Sequence, residues 1–233
     1  MDLKAILFDV FGTVVDWRTS LITELSAWGA DRLPEADWAG LVDAWRGAYA
    51  PSMDRVRKGE LPWTPLDVLH RRTLEEIAPR FGVTGLTEAE LDWMNRGWHR
   101  LNPWPDSVPG LTRLRQRYIL SPLSNGNVAL LTNMAKRAGI PWDLVLCAEV
   151  FERYKPDPEV YLGACRLLGL EPAQVMLCAA HNSDLAAAQR LGLRTAFIPR
   201  PTEYGPHQTR DFAAEGEWDV VAANMTALAD RLS

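Results

Sequence analysis

The chain has 233 residues, of which 47% are hydrophobic and 24% charged, as in ordinary globular domains. Its 25 basic and 30 acidic residues give a net charge of −5, which supplies no electrostatic attraction to nucleic acid or to an anionic membrane. No apolar run approaches the roughly 18 residues that a membrane-spanning helix needs, and the N-terminus has no signal-peptide pattern.

The first predicted element is a strand. Residues 4–10, KAILFDV, form a short apolar run that ends just before Gly12, and this pattern predicts a buried strand. Residues 17–101 then favour helices. One helix is predicted from Asp37, which can cap it, because apolar residues recur behind it at three- and four-residue spacing. Pro51 is expected to disrupt the helix near that position.

After residue 104, helical and strand patterns alternate. Strands are predicted at YILSPLSNG, DLVLCAEV, VMLCAA and RTAFIPR, and helices at LTRLRQR, VALLTNMAKRAG, DPEVYLGACRLLG and DLAAAQRLG. Such alternation is typical of a mostly parallel sheet with helices on both faces. The sequence therefore predicts a doubly wound α/β core, residues 1–16 and 104–233, interrupted by a helical insertion over residues 17–103.

The three cysteines, Cys147, Cys165 and Cys178, form neither a close metal-ligand pair nor an even set that would favour a disulfide framework. All three lie in apolar stretches, so we expect buried free thiols. Free thiols are typical of a reducing compartment, which favours a cytoplasmic location.

Polar side chains follow several of the predicted strands. They are Asp9 and Thr13, Ser124 and Asn125, Lys155, and His181 and Asp184 in the segment AAHNSD. Because ligands in open α/β sheets bind at the carboxyl ends of the strands, we expect these side chains to converge on one pocket under the inserted helices. Lys155 would hold Asp9 ionised by charge attraction, and an ionised carboxylate can act as a nucleophile.

Four motifs in this order, FDVFGT, SNG, YKPDPEVY and HNSDLAAA, resemble those of the haloacid dehalogenase superfamily over nearly the whole chain. The resemblance implies a Rossmann-like core with a helical cap. Phosphatases of that superfamily carry a second Asp where this chain has Phe11, and a magnesium-binding Asp where it has the run Cys178-Ala179-Ala180. Both departures resemble the L-2-haloacid dehalogenase branch, so we expect a site with no metal and no cofactor.

The resemblance implies a mechanism for the site residues. Asp9 attacks the halogen-bearing carbon of a small 2-haloacid with inversion, and water then hydrolyses the aspartyl ester to release a 2-hydroxy acid. Thr13 positions Asp9, whereas Asp184 orients or deprotonates the water and Lys155 balances the charge. Tyr161 is expected to support the lysine side.

The same resemblance implies where the substrate binds. Its carboxylate is expected at Ser124 and at the backbone amides of Val10 and Phe11, and the departing halide at Arg46 and Asn125. The expected partner is therefore a small halogenated carboxylic acid, and not nucleic acid or a membrane. Relatives are often dimers, so a homodimer is compatible with the chain.

His181 departs from the pattern of the better-known members, which carry an asparagine near this position and a tryptophan just before the acid, where this chain has Ser183. We include His181 among the catalytic residues. One hypothesis is that it donates a hydrogen bond to the halide, including the small, hard fluoride ion.

Two alternative functions stay open at this point. One is a phosphatase of the same fold, against which Phe11 and Ala179 argue. The other is a non-catalytic protein that binds a small carboxylate, against which the presence of Asp9, Lys155 and Asp184 argues.

Overall fold

The computed structural model describes residues 2–233, and its core is one parallel sheet. In chain order the strands are β1 (Ala5–Phe8), β2 (Val15–Asp16), β3 (Asn102–Pro103), β4 (Ile119–Ser124), β5 (Leu146–Cys147), β6 (Val175–Ala179), β7 (Arg194–Phe197) and β8 (Val220–Val221). Six of them form the sheet in the spatial order β5-β4-β1-β6-β7-β8, and every neighbouring pair is parallel. The predicted α/β class with a mostly parallel sheet is confirmed.

Eleven α-helices follow β2 in the described part of the chain, five of them in the insertion and six after β3. Between β2 and β3 lie α1 (Trp17–Gly29), α2 (Trp38–Gly47), α3 (Tyr49–Arg57), α4 (Leu66–Ile77) and α5 (Glu88–Asn95). After β3 come α6 (Ser107–Leu114), α7 (Val128–Ala138), α8 (Ala148–Phe151), α9 (Pro158–Leu168), α10 (Asn182–Arg190) and α11 (Met225–Arg231). Short 3-10 turns cover Ala78–Phe81, Arg96–Arg100, Pro172–Gln174 and Gly205–His207.

The central strand β1 is buried on both faces. All four of its residues are inaccessible to solvent, and it pairs with β4 on one side and β6 on the other. Ile6 and Phe8 belong to the apolar cluster that continues into the helical insertion, whereas Ala5 and Leu7 belong to the cluster on the opposite face. This burial explains why the strand is a continuous apolar run rather than an alternating one.

A two-stranded ribbon lies where the chain enters and leaves the helical insertion. β2 and β3 pair antiparallel, with Val15 opposite Pro103 and Asp16 opposite Asn102. The Trp104 indole N–H donates to the carbonyl of Gly12 at 2.8 Å, which ties the returning chain to the loop after β1. Two-residue strands carry no periodicity, so sequence patterns do not predict this ribbon.

The helix predicted from Asp37 is α2, and Asp37 caps it by accepting the Gly40 N–H at 2.8 Å. The helix is interrupted near Pro51, as predicted, but Pro51 itself does not form the break. α2 ends at Gly47, and Pro51 lies in the first turn of α3, where its missing N–H needs no partner.

The strand predicted over DLVLCAEV is shorter than expected. β5 contains only Leu146–Cys147, and α8 begins at Ala148. Before β5, the Asp143 carboxylate accepts the Leu120 N–H at 2.9 Å, so a side chain takes the place of a strand hydrogen bond there. Apolar composition predicts burial at this sheet edge, but it does not predict how far the pairing extends.

Cys147, Cys165 and Cys178 are buried free thiols, as predicted. Burial raises the pKa of Cys147 and of Cys165 to about 11, so both stay protonated at neutral pH. Among residues 2–233, the helices are too short or too polar to cross a membrane.

Gly110 sets the distance between α6 and α11, which pack against each other. A Cβ atom at Gly110 would lie 2.6 Å from the backbone of Met225, so the two helices would have to separate. We expect Gly110→Ala to lower the free energy of unfolding by about 1–3 kcal/mol, measured by urea denaturation.

Gly47→Ala is the matched control, because Gly47 is also helical and a Cβ there meets no atom within 4 Å. This variant should be as stable as the parent or more stable, since alanine favours helix. Similar losses of stability in both variants would contradict the close contact at Gly110.

Candidate active site

A cavity of about 880 Å³ opens at the carboxyl edge of the sheet. Loops after β1, β4 and β6 form its floor, and α2 and α3 of the insertion contribute to its wall. The lining side chains that matter below are those of Asp9, Phe11, Trp17, Arg46, Tyr49, Asn125, Lys155, Tyr161, His181, Asp184 and Tyr204. Of the side chains that the sequence predicts at this edge, Asp9, Asn125, Lys155, His181 and Asp184 line the cavity, whereas Thr13 and Ser124 do not.

Asp9 follows β1 and is only 8% exposed. Its Oδ1 accepts a hydrogen bond from Lys155 Nζ at 3.0 Å. Its Oδ2 accepts one from the Thr13 hydroxyl at 2.8 Å and lies 3.0 Å from His181 Nδ1. Burial alone would raise the pKa of Asp9, but the charge of Lys155 and the bonds from His181 and Thr13 lower it well below its usual range. The buried carboxylate is thus held ionised.

Thr13 has a fixed orientation beneath Asp9. Its hydroxyl oxygen accepts the Ala180 N–H at 2.9 Å, so its proton points to Asp9 Oδ2. Ala180 lies in the loop after β6, whereas Thr13 lies in the loop after the neighbouring strand β1. Both loops therefore hold the Thr13 hydroxyl in place.

Lys155 lies between two carboxylates, since its Nζ also donates to Asp184 Oδ2. Burial would lower the pKa of Lys155, but the charges of Asp184 and Asp9 raise it above its usual range. Tyr161 differs from expectation. Its hydroxyl donates to Asp184 Oδ1 at 2.5 Å, so it supports the acid rather than contacting the lysine.

Arg46 lies in the last turn of α2, with its guanidinium over the Tyr49 ring at 4.3 Å from the centroid. Its Nη2 is 3.8 Å from Glu203. Within the part of the chain that the structure describes, its buried Nη1 has no hydrogen-bond partner, although Arg46 lines the cavity. A buried donor without a partner is costly, and an anion in the cavity would satisfy it.

Three further predicted residues differ in their access to the cavity. Asn125 lines it and accepts the Lys155 N–H at 2.8 Å through its side-chain oxygen. Ser124 and Val10 are fully buried and lie behind the lining residues. The Ser124 hydroxyl accepts the Gly126 N–H at 3.1 Å, which leaves its proton free to donate. Their predicted contacts with a substrate carboxylate stay predictions.

Phe11 lines the cavity, and its ring belongs to an aromatic cluster. The ring packs edge-on against Tyr49 and Trp98, with centroid distances of 6.2 and 5.7 Å. The position at which phosphatases carry an acid is here part of an aromatic wall, which suits the apolar carbon atoms of a small organic acid.

Glu203 is the site residue that the sequence analysis missed. It lies in the loop after β7 and is 1% exposed. Its Oε2 is 2.9 Å from His181 Nε2, and its Oε1 accepts the Trp17 indole N–H at 3.0 Å. Both ring nitrogens of His181 therefore face carboxylates, which leaves no free N–H to donate to a halide. No strand-end motif marks Glu203 in the sequence.

Comparisons with known proteins agree with this geometry. The family model for haloacid dehalogenase-like hydrolases matches residues 3–192. The structure of the L-2-haloacid dehalogenase PA0810 is 54% identical, with a TM-score of 0.96 over 99% of this chain and 98% of that one. That of the defluorinating L-2-haloacid dehalogenase Rha0230 is 50% identical, with a TM-score of 0.96 over 99% and 95%.

A curated relative extends the match. (S)-2-Haloacid dehalogenase 4A of Burkholderia cepacia is 28% identical over 251 aligned positions, which cover 97% of this chain and 98% of the relative. The family match, the two structures and the full-length coverage agree with the motifs and with the Phe11 position. The chain therefore belongs to the haloacid dehalogenase-like hydrolases and, within them, to the L-2-haloacid dehalogenases.

Proposed function

We propose that this chain hydrolyses the carbon–halogen bond of small 2-haloacids through an aspartyl ester on Asp9. The observation that carries the proposal is the ionised Asp9 carboxylate at the cavity floor, held by Lys155, Thr13 and His181. The relatives are named for L- or (S)-2-haloacids, so we propose the (S) enantiomer as substrate.

In the first half-reaction an oxygen of Asp9 attacks C2 from the side opposite the halogen. The C2–halogen bond breaks, the halide leaves with the bonding electrons, and the configuration inverts. The free Nη1 of Arg46 and the amide of Asn125 are the donors that would receive the halide. The aromatic wall at Phe11 keeps water away from the ionised nucleophile.

In the second half-reaction water attacks the ester carbonyl carbon of Asp9. Asp184, oriented by Tyr161 and Lys155, accepts a proton from that water. Cleavage of the bond between the Asp9 carbonyl carbon and the ester oxygen regenerates the carboxylate. The departing alkoxide takes up the proton held by Asp184 and leaves as an (R)-2-hydroxy acid. The second proton of the water is released when Asp9 returns to the carboxylate, so the net release is one halide and one proton.

The hydrogen bonds that the site carboxylates already accept argue against the phosphatase alternative. A hard divalent cation needs several oxygen ligands that are free to bind it. Here the oxygens of Asp9 accept from Lys155, Thr13 and His181, and those of Asp184 accept from Lys155 and Tyr161. We therefore propose metal-independent chemistry. A cytoplasmic location and a homodimer stay predictions.

Halide release tests the proposed function. We expect (S)-2-chloropropionate to release chloride and yield (R)-lactate in the presence of EDTA, whereas the (R) enantiomer is left largely intact. Asp9→Asn removes the nucleophile with little change in shape and should lower the rate roughly a thousandfold or more. Magnesium-dependent phosphate release from phosphate esters, without halide release, would contradict the proposal.

Arg46→Lys tests the halide site, because lysine keeps the charge but lacks the free Nη1 donor. We expect kcat to fall roughly ten- to a hundredfold and inhibition by added chloride to weaken. Arg18→Lys is the control: Arg18 pairs with Asp43 at 2.7 Å and does not line the cavity. Unchanged chloride inhibition in Arg46→Lys would show that the halide binds elsewhere.

His181→Ala tests whether the histidine selects the halide. Because both ring nitrogens face carboxylates, we expect chloride release from chloroacetate and fluoride release from fluoroacetate to fall by the same factor. The name of the Rha0230 neighbour makes fluoroacetate the informative second substrate. A loss confined to fluoride would restore the hypothesis of a halide donor.

A further inference from the structure

Glu203 is a buried carboxylate that the mechanism above does not use. Burying a carboxylate is costly unless charges and hydrogen bonds compensate it. Here His181 Nε2, the Trp17 indole N–H and Arg46 Nη2 lie at 2.9, 3.0 and 3.8 Å. These partners come from the loop after β6 and from two helices of the insertion, so three separate segments converge on one acid.

The loop that carries the nucleophile leaves room for Glu203. Gly12 has a positive φ of 89°, and a Cβ there would lie 2.1–2.6 Å from the Glu203 carboxylate. A side chain at this position would therefore displace the acid as well as strain the backbone. The close approach places Glu203 beside the loop that begins at Asp9.

His181 bridges the two acids. A neutral imidazole has one N–H and can donate to one carboxylate only, whereas the imidazolium can donate to both. Its Nδ1 and Nε2 lie 3.0 and 2.9 Å from ionised Asp9 and from Glu203, so the geometry requires both protons. Burial would lower the pKa of His181, but the charge of Glu203 and the bond to Asp9 raise it well above its usual value.

Other charged and titratable groups surround this pair. The cations are Arg46 from the insertion, Lys155 from the loop before α9 and the more exposed Arg210 from the loop after β7, whose charge also acts on Glu203. The remaining groups are Asp184 on α10, Tyr49 on α3, Tyr204 beside Glu203, and the acids Asp43 and Asp211. The three cations disfavour a charged histidine, and Asp184, Asp43 and Asp211 are paired with Lys155, Arg18 and Arg210. Asp9 and Glu203 are therefore the anions that hold the proton on His181.

Ester formation changes this balance, since alkylation of Asp9 removes its negative charge. Glu203 is then the one anion still in contact with His181 among the described residues. We propose that Glu203 is a positioning residue that keeps His181 protonated in the ester, so that the imidazolium and the Thr13 hydroxyl form the oxyanion hole for ester hydrolysis. This inference rests on the proposed function.

The donors distinguish the two oxygens of Asp9. Oδ2, which has two donors from Thr13 and His181, remains the carbonyl oxygen of the ester and carries the negative charge when water adds. Oδ1 forms the bond to C2 and becomes the ester oxygen. Lys155, which contacts Oδ1 at 3.0 Å, then supports that oxygen as it leaves with the product.

Glu203→Gln tests the inference because it keeps the shape and removes the charge. In the ester of this variant His181 loses its proton at lower pH, so the alkaline limb of the kcat profile should move down by about one pH unit or more. At pH 9 we expect ester hydrolysis to slow about tenfold or more, while ester formation in rapid-quench experiments changes less than about twofold. Intact-protein mass spectrometry should then detect the accumulated adduct on Asp9.

Controls separate this role from a structural one. Asp43→Asn removes a negative charge from the cavity lining without contact to His181 and should keep the parent pH profile. Glu203→Asp keeps the charge and should recover most of the alkaline activity. In a His181→Asn background, Glu203→Gln should have little further effect on ester hydrolysis.

The outcomes distinguish failure of the proposed function from failure of the role inferred for Glu203. If the parent enzyme forms no adduct and releases no halide, the proposed function fails and this inference fails with it. If the parent is active but Glu203→Gln slows both half-reactions equally at every pH, or leaves ester hydrolysis unchanged, the inference alone is overturned. If Glu203→Gln does not fold, Glu203→Asp is measured instead. The inference then requires that the pH profile of kcat in Glu203→Asp lies near that of the parent, and a large downward shift of its alkaline limb would overturn it.

Discussion

The ionised Asp9 carboxylate is the constraint on which the rest of the site depends. It is nearly inaccessible to water, and donors from three loops compensate its charge. Each compensating cation contacts a second acid, and these acids have partners of their own. The result is a chain of groups of alternating sign across the cavity: Arg46, Glu203, His181, Asp9, Lys155 and Asp184. Because a buried ion is costly without its partner, no member of this chain can be changed without consequence for its neighbours.

The fold assembles that chain from segments far apart in sequence. Parallel strands bring the loops after β1, β4 and β6 to one edge, and the β2–β3 ribbon returns the inserted helices to the same place. The insertion supplies a buried guanidinium with a free donor, and the Tyr49 and Trp98 rings that pack against Phe11 of the core. Charge chemistry thus comes mostly from the core, and shape and exclusion of water come from the insertion.

Sequence patterns predicted the groups that follow strands, because buried parallel strands are recognisable and their ends must meet. Asp9 and Thr13 after β1 and Asp184 after β6 belong to this class, whereas Lys155 follows the short helix α8. Glu203 could not be predicted because the loop that carries it has no regular pattern. Its contact with His181 spans 22 positions and depends on the path of that loop. The contact of Tyr161 on α9 with Asp184 on α10 likewise depends on where the fold places these two helices, which spacing alone does not determine.

The central claim is that Asp9, and not water, displaces the halide. The direct measurement is a single turnover of (S)-2-chloropropionate in H₂¹⁸O with enzyme in excess, followed by mass spectrometry of the lactate and of the peptide that contains Asp9. The account predicts unlabelled lactate from this first turnover and one ¹⁸O atom in the Asp9 carboxylate. Lactate that carries ¹⁸O in its hydroxyl group, together with an unlabelled Asp9 peptide, would contradict it.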